Sequence, residues 1–455
     1  MPRPLRLALV LLILTLPGAG MLRGDLLQPQ SEIPLGAGAG CADPRPEVTS
    51  LPGGGFVAVW TAPLFPGSLD YVGVFTRFFD SAGQPLGPAI AVSQQGSLYP
   101  KAGHVTVAAS PEGTVLFAWT YDEVKVVTRL FDATGAPRGN EVLLPAAFPA
   151  AALAALAQDG GFTLLMGSGD QVYRWRLNAS GLSLGNPALL FAYNVTYAGG
   201  GGAAILSLDV ASRGSSGLAL ALGAQDYTLG RILPHADALF TPEINGFGDW
   251  AELGPRPAIG VSPTGTSLLA WKGPQVSKDG KVLAQLLDEG GTPLGETFVV
   301  DSTWPSTGDG LDIAVDSDGN FLVIWRSGAL RARRISPQGV FLGPSWTITS
   351  PHDGPWAPAA AFDGPDRLAV AWADGKAPRP SETCVAADVF LQILDGSPLH
   401  LPLQGDRFQV TVRWTDHAGN IGDGRAAPLS DDSGYFWFFG PQNVELLVKV
   451  LDGRA

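Results

Sequence analysis

A tryptophan that returns at the end of a short apolar run constrains this chain more than any other feature. It closes GGGFVAVW at Trp60, GTVLFAW at Trp119, GTSLLAW at Trp271, GNFLVIW at Trp325 and DRLAVAW at Trp372. Two weaker copies fill the interval between Trp119 and Trp271: GGFTLLM, ending at Met166, and SGLALAL, ending near Leu222. Neighbouring marks lie 47 to 59 residues apart. A repeat of that length, holding several short apolar runs, is the signature of a propeller or a similar array.

Every copy carries the same parts. An apolar residue stands twelve positions before each Trp: Val48, Val107, Ile259, Ile313 and Ala360. A turn lies between the two, as in Pro52-Gly53-Gly54, Pro111-Glu112-Gly113 and Asp318-Gly319. There Gly supplies positive φ and Asp tolerates it. A third run follows the Trp and ends in a second turn, such as Asp80-Ser81-Ala82-Gly83 or Ser336-Pro337-Gln338-Gly339. A Leu-Gly or Arg-Gly pair then introduces a fourth run. The unit therefore reads as a four-stranded antiparallel sheet. The repeated Trp reads as a wedge between sheets. With 59 Gly, 38 Pro and no G-X-Y period, the composition agrees with an all-β chain of many turns.

There are seven second strands, but the last unit ends with its third strand, Val389–Leu394. Ser31–Leu35, near the other end, resembles outer strands such as Glu296–Val300. The expectation is an all-β, seven-bladed β-propeller of four-stranded antiparallel blades over residues 21–403. The N-terminal strand would close the ring and leave no long open edge.

Residues 1–20 read as a secretory signal peptide: Arg3 and Arg6, the apolar run Leu7–Leu16, then Pro17-Gly18-Ala19-Gly20. The apolar run is about half of the roughly 20 residues a membrane span needs. The chain is thus expected to be secreted or extracytoplasmic, at the cell surface or in the periplasm, with no span after signal removal. Export permits a disulfide between Cys41 and Cys384, which stand in loops of adjacent blades.

Phe56–Trp60 and the later stretch Arg77–Gly87 (RFFDSAGQPLG) carry a resemblance. The chain is similar to secreted bacterial propeller-like repeat proteins, whose units read as an apolar run into V-V-W and then R-F-D-x-x-G-x-P-L-G. The resemblance spans about residues 31–395 and implies architecture; it brings no catalytic residues with it. Residues 404–455 resemble a small β module found at the C-terminus of similar exported proteins, where it continues with a further aromatic hairpin. Strands are expected at Phe408–Trp414, Tyr435–Phe439 and Val444–Leu451. The sheet would be incomplete, with Val444–Leu451 as an exposed apolar edge.

Chemistry is harder to find. A net charge of −13 argues against a nucleic-acid partner. His104, His235, His352, His400 and His417 show no metal spacing, no H-E-x-x-H or C-x-x-C occurs, and no sialidase S-x-D-x-G-x-x-W box lies within residues 31–395. Asp316-Ser317-Asp318-Gly319-Asn320 resembles a calcium-loop fragment without the later Glu. It fills a slot that other units give to Pro-Gly turns, so it reads as a turn. Arg77, Arg129 and Arg333 share a third-strand slot with Gln285 and Gln392, which reads as a repeated structural pairing. No catalytic residue, metal or cofactor is assigned.

What the repeat does not share is a set of aromatics in the loops from outer strand to next inner strand: Tyr99, Trp250, Trp304 and Trp356, beside Lys101, Asp301 and His352. Such residues stack on sugars or anchor proteins. The leading expectation is a non-catalytic binding or surface protein for a polysaccharide or a protein. The alternatives are a carbohydrate-active hydrolase or lyase with carboxylates in the axial funnel, and a structural envelope component.

Overall fold

In the computed structural model, the described residues are those of 28–450 other than 30–31, 37–44, 65–71, 95–101, 122–124, 145–151, 159, 193–204, 214–216, 225–226, 234–245, 248–256, 273–280, 303–309, 350–353, 365–366, 376–386, 396–399, 404–407, 416–420, 424, 431 and 438–445. They fall into two compact units, Pro29–Leu394 and one that includes Asp395–Ala455.

The first unit is a succession of seven antiparallel sheets. Their inner strands, in order, are Glu47–Ser50, Ala102–Ala109, Ala152–Gln158, Ile205–Arg213, Ala258–Val261, Leu311–Val315 and Pro355–Asp363. Each packs on the next, and the seventh packs on the first, so the inner strands close a ring. Sheet 6 shows the common plan: Leu311–Val315, Phe321–Ser327, Ala329–Ile335 and Trp346–Thr347 lie side by side in chain order. Sheet 7 draws its outer strand from the far end of the chain. Ile33–Gly36 pairs antiparallel with Ala387–Asp395, Ile33 opposite Leu391 and Pro34 opposite Phe390. This is the expected closure, and it removes the edge that the third strand would otherwise present.

The tryptophans hold the joints. Trp60 clusters with Ala369, Ala371, Val389 and Leu391 of sheet 7, and Trp119 with Val57, Val59 and Val72 of sheet 1. Trp271 clusters with Ala219 and Ala221 of sheet 4, and Trp325 with Ala258, Ala270 and Ala284 of sheet 5. Each indole thus reaches back to the sheet before it, where alanines and valines of the facing strands leave room for its area. Met166 and Leu222 take the same role at the joints between sheets 2 and 3 and sheets 3 and 4. At the former, Trp175 from the third strand adds an indole.

Polar hooks repeat at the periphery. Arg77, Arg129, Gln285 and Arg333 each donate to the carbonyl of the glycine ten residues on: Gly87, Gly139, Gly295 and Gly343. Trp175 does so to Gly185. The arginines have a second amino group to spend, and it crosses to the preceding sheet. Arg129 Nη1 donates to Val92 at 2.7 Å, Arg333 Nη1 to Val300 at 2.6 Å and Arg77 Nη1 to Pro34 of the closing strand at 3.4 Å. The shared arginine slot is therefore a structural tie. Arg333→Met keeps the stem but removes both donors, and is expected to lower unfolding free energy by about 1 kcal/mol in urea titration.

The turns behave as read. In Asp316–Asn320, the Asp316 carboxylate ion-pairs with Arg334 and accepts from the Asn320 amide at 2.8 Å, while Gly319 sits at φ 86°. The calcium-like fragment is a turn fastened by a buried ion pair.

In the second unit, His400–Leu403 pairs with Phe408–Thr411, and Arg413–Thr415 with Ile421–Asp423. Arg425–Ser430, Ser433–Trp437 and Leu446–Lys449 form a three-stranded sheet. Leu401, Leu403, Ala426 and Phe436 form its buried core. The expected single strand Phe408–Trp414 is two strands with different partners, interrupted at Val412. Alternation keeps Phe408, Val410 and Val412 on the core through the break, so the sequence pattern conceals it. Among the described residues, the strand expected from Tyr435 already begins at Ser433 and runs to Trp437, and Leu446–Lys449 lies within the expected Val444–Leu451; residues 438–445 and 451 are outside the described set. That last strand is an edge of its sheet among the described residues, with Leu447 64% exposed.

Candidate functional site on the ring axis

One register position recurs on all seven inner strands: the residue opposite the one that precedes the Trp slot. The pairs are Glu47 with Val59, Thr106 with Ala118, Ala154 with Leu165, Asp209 with Ala221, Ala258 with Ala270, Asp312 with Ile324 and Ala359 with Ala371. Three of the seven are carboxylic acids and one is a hydroxyl, on the strands that surround the axis.

Each polar side chain at this position reaches forward to the next sheet. Val107 N–H donates to Glu47 Oε2 at 3.2 Å, Ala155 N–H to Thr106 Oγ1 at 3.1 Å, Ile259 N–H to Asp209 Oδ2 at 2.8 Å and Ala360 N–H to Asp312 Oδ2 at 2.6 Å. The second oxygens are engaged too. Asp209 Oδ1 accepts from Val210 N–H and Asp312 Oδ1 from Ile313 N–H, both at 2.8 Å, and Glu47 also bonds the Thr106 hydroxyl. The ring is clasped at the axis as it is hooked at the rim.

These carboxyls are unusually hard to ionise. Burial among packed strands pushes Glu47 up to about 8, outweighing its bonds to Thr106 and Val107; the charges of Asp209 and Asp312 add to the rise. Burial also raises Asp209, and raises Asp312 together with the charge of Asp209. All three are half-buried rather than sealed from solvent.

Sequence reasoning passed over this set. In the sequence, the apolar residues Val48, Val107, Ile259, Ile313 and Ala360 mark the inner strands and draw attention away from the position before each. That position holds Glu47, Thr106, Ala258, Asp312 and Ala359, three polar residues among five inside apolar strands. That signal was available.

Of the sequence-derived ligand contacts, Tyr99, Trp250 and Trp304 lie outside the described residues. Trp356 is in the backbone of Pro355–Asp363, whose pairing shifts register between Trp356 and Ala359. Ala357, inside that bulge, has φ 48°, the left-handed region that non-glycine residues rarely enter. Cys41 and Cys384 also lie outside the described residues, as do residues 1–20. Among the described residues, no group of three or more His, Cys, Asp and Glu is placed to hold a metal ion. No helix among them is long and apolar enough to cross a membrane.

No family model matches the chain, and no curated protein matches its sequence. Solved structures similar to it are propeller proteins. An α-L-arabinanase of Penicillium chrysogenum complexed with arabinobiose is 13% identical, with 81% of this chain and 99% of that one covered and a TM-score of 0.45. The Dos1 propeller is 10% identical, covering 82% and 97%, with a TM-score of 0.46. The NanB sialidase of Streptococcus pneumoniae is 11% identical, covering 81% and 70%, with a TM-score of 0.46. At these values the likeness assigns no residue a role; the strand pairing itself carries the architecture.

Proposed function

We propose that this chain is an exported, non-catalytic binding or surface protein that recognises a polysaccharide or a protein through the aromatic loop rim of its propeller. The observation that carries this reading is the commitment of the axial carboxyls. Paired-carboxylate catalysis needs one carboxylic acid and one carboxylate facing a substrate. Here both oxygens of Asp209 and of Asp312 are held by main-chain amides, and Glu47 is held by Thr106 and Val107. They serve the ring, which weighs against a hydrolase or lyase that works through them.

The topology supports the rim as the alternative. Tyr99, Trp250 and Trp304 fall between the outer strand of one sheet and the inner strand of the next, and Trp356 at the start of such an inner strand. In an antiparallel meander all connections of that class leave on one face. Export, a signal peptide at residues 1–20 and a Cys41–Cys384 disulfide belong to the same reading.

The test is a glycan array and a surface-protein pull-down with the exported chain, beside a variant carrying Trp250→Ala, Trp304→Ala and Trp356→Ala. A ligand that loses at least about tenfold in affinity in the variant supports the reading, since stacking contacts contribute about 1–3 kcal/mol each at binding hot spots. Ligand binding that is unchanged in the variant overturns it. Turnover of a polysaccharide, abolished by Glu47→Gln, would establish the enzyme instead.

A further inference from the structure

The axial clasps are not evenly distributed. Carboxyls bridge sheet 1 to 2, sheet 4 to 5 and sheet 6 to 7. A hydroxyl bridges sheet 2 to 3. At the three remaining joints the position holds Ala154, Ala258 and Ala359, whose methyls accept nothing. The bonds that close three of the joints are therefore made by groups that titrate, on the inner strands of sheets 1, 4 and 6 of one closed ring. Two opposing consequences follow when such a group ionises. Its bond to the neighbouring N–H strengthens, because a carboxylate is the better acceptor. Its desolvation and its repulsion of the other two carboxylates grow as well.

Which effect wins depends on what surrounds the three. Glu47 is faced by Asp209 and Asp312, and Asp312 by Asp209. The strand packed on Glu47 from sheet 2 brings His104; that from sheet 7 brings Asp363, engaged at the far end with Gly55 N–H. The second strand of sheet 7 carries Arg367 and Asp374 at its two ends. The strands packed on either side of Asp209, Ala152–Gln158 and Ala258–Val261, carry no titratable side chain. Around Asp312, Lys272 and Arg326 stand at strand ends, each two residues past the slot's cross-strand partner, and Asp363 at the end of Pro355–Asp363. The groups that converge on the axis are acidic, so repulsion and desolvation dominate.

We propose that Glu47, Asp209 and Asp312 make the ring a proton-linked latch: tight at its three carboxyl-bridged joints while they hold protons, and looser as they ionise. An opening that admits water to the axis returns these groups to ordinary ionisation. By linkage, groups that ionise less readily when closed favour the open ring increasingly as pH rises. The closed ring binds more protons than the open one between the ordinary carboxyl range and the raised one. Stability is thus highest on the acid side of that window and falls as pH climbs through it. The device stands whether or not the rim binds a ligand.

The test is thermal unfolding of the full chain at pH 5.5, 7.0 and 8.5 at one ionic strength. The variants are Glu47→Gln and Asp312→Asn, which keep a side-chain carbonyl for the Val107 and Ala360 amides, with exposed Glu112→Gln as control. The wild type and Glu112→Gln are expected to melt lower at pH 8.5 than at pH 5.5, and each axial variant to lose part of that fall. A wild-type midpoint that is flat or rising with pH overturns the latch, as does a fall equally steep in both axial variants. Should the variants not fold, hydrogen exchange of the wild type decides. Corrected for intrinsic rates, the Val107, Ile259 and Ala360 amides are expected to open about tenfold more at pH 8.5 than at pH 5.5; constant protection overturns the proposal.

Discussion

Replacing Trp325 by alanine is expected to cost about 3–5 kcal/mol of unfolding free energy, read as a lower denaturant midpoint with the slope unchanged. The side chain is fully buried, and the residues around it come from two sheets: Ala258, Leu268, Ala270 and Ala284 from sheet 5, with Leu311, Phe321 and Val323 from sheet 6. The small residues opposite cannot grow into the space, so a cavity remains at the joint. Trp325→Phe should recover part of the loss by refilling some of it. A cost below about 1 kcal/mol would show that the indole is not the wedge between these sheets. Trp372 and Trp60 are equally enclosed, so the same experiment there would show whether the joints are equivalent.

The second large effect is expected from removing Ile33–Gly36. Leu35 is 5% exposed and packs in the cluster that joins sheet 1 to sheet 7. Gly36 lies so close to the Trp60 indole that a Cβ there would stand 2.9 Å from its Nε1. Deleting the strand gives up the burial of Leu35, about 2 kcal/mol, and several ladder hydrogen bonds at about 1 kcal/mol each. A loss near 4 kcal/mol is expected, with aggregation, because the Ala387–Asp395 edge then keeps only the two-residue strand Gln28–Pro29. Leu35→Asp is the point-mutant form of the same test. If the shortened chain melts with the full one and does not aggregate, closure does not depend on this strand. Gly36→Val should fall between, since its side chain must displace the Trp60 ring.

The two experiments probe features that differ in how far the sequence discloses them. The Trp wedge is visible as a repeated letter at a fixed distance from a turn. The closing strand is visible only as an outer strand missing from the last unit and an unclaimed one near the start. Both readings rest on counting, and the structure agrees with both. Boundaries were less legible. Val412 interrupts what reads as one strand because alternation persists while the pairing partner changes.

What the sequence by itself determined is the repeat and so the ring: alternation fixes which face of each strand is apolar, glycine and Asx turns fix where the chain reverses, and the repeat number fixes the sheets. Those are local or periodic properties, written in every copy. The tertiary structure decided what the non-apolar members of the pattern do. Arg77, Arg129 and Arg333 became ties only when the carbonyls of Pro34, Val92 and Val300 on the preceding sheets were placed within reach. Glu47, Asp209 and Asp312 stand 162 and 103 residues apart in sequence (209 − 47 and 312 − 209) and act on one another because the inner strands close on a common axis. Burial and charge repulsion depend on distance in space, which no spacing along a chain of this length encodes.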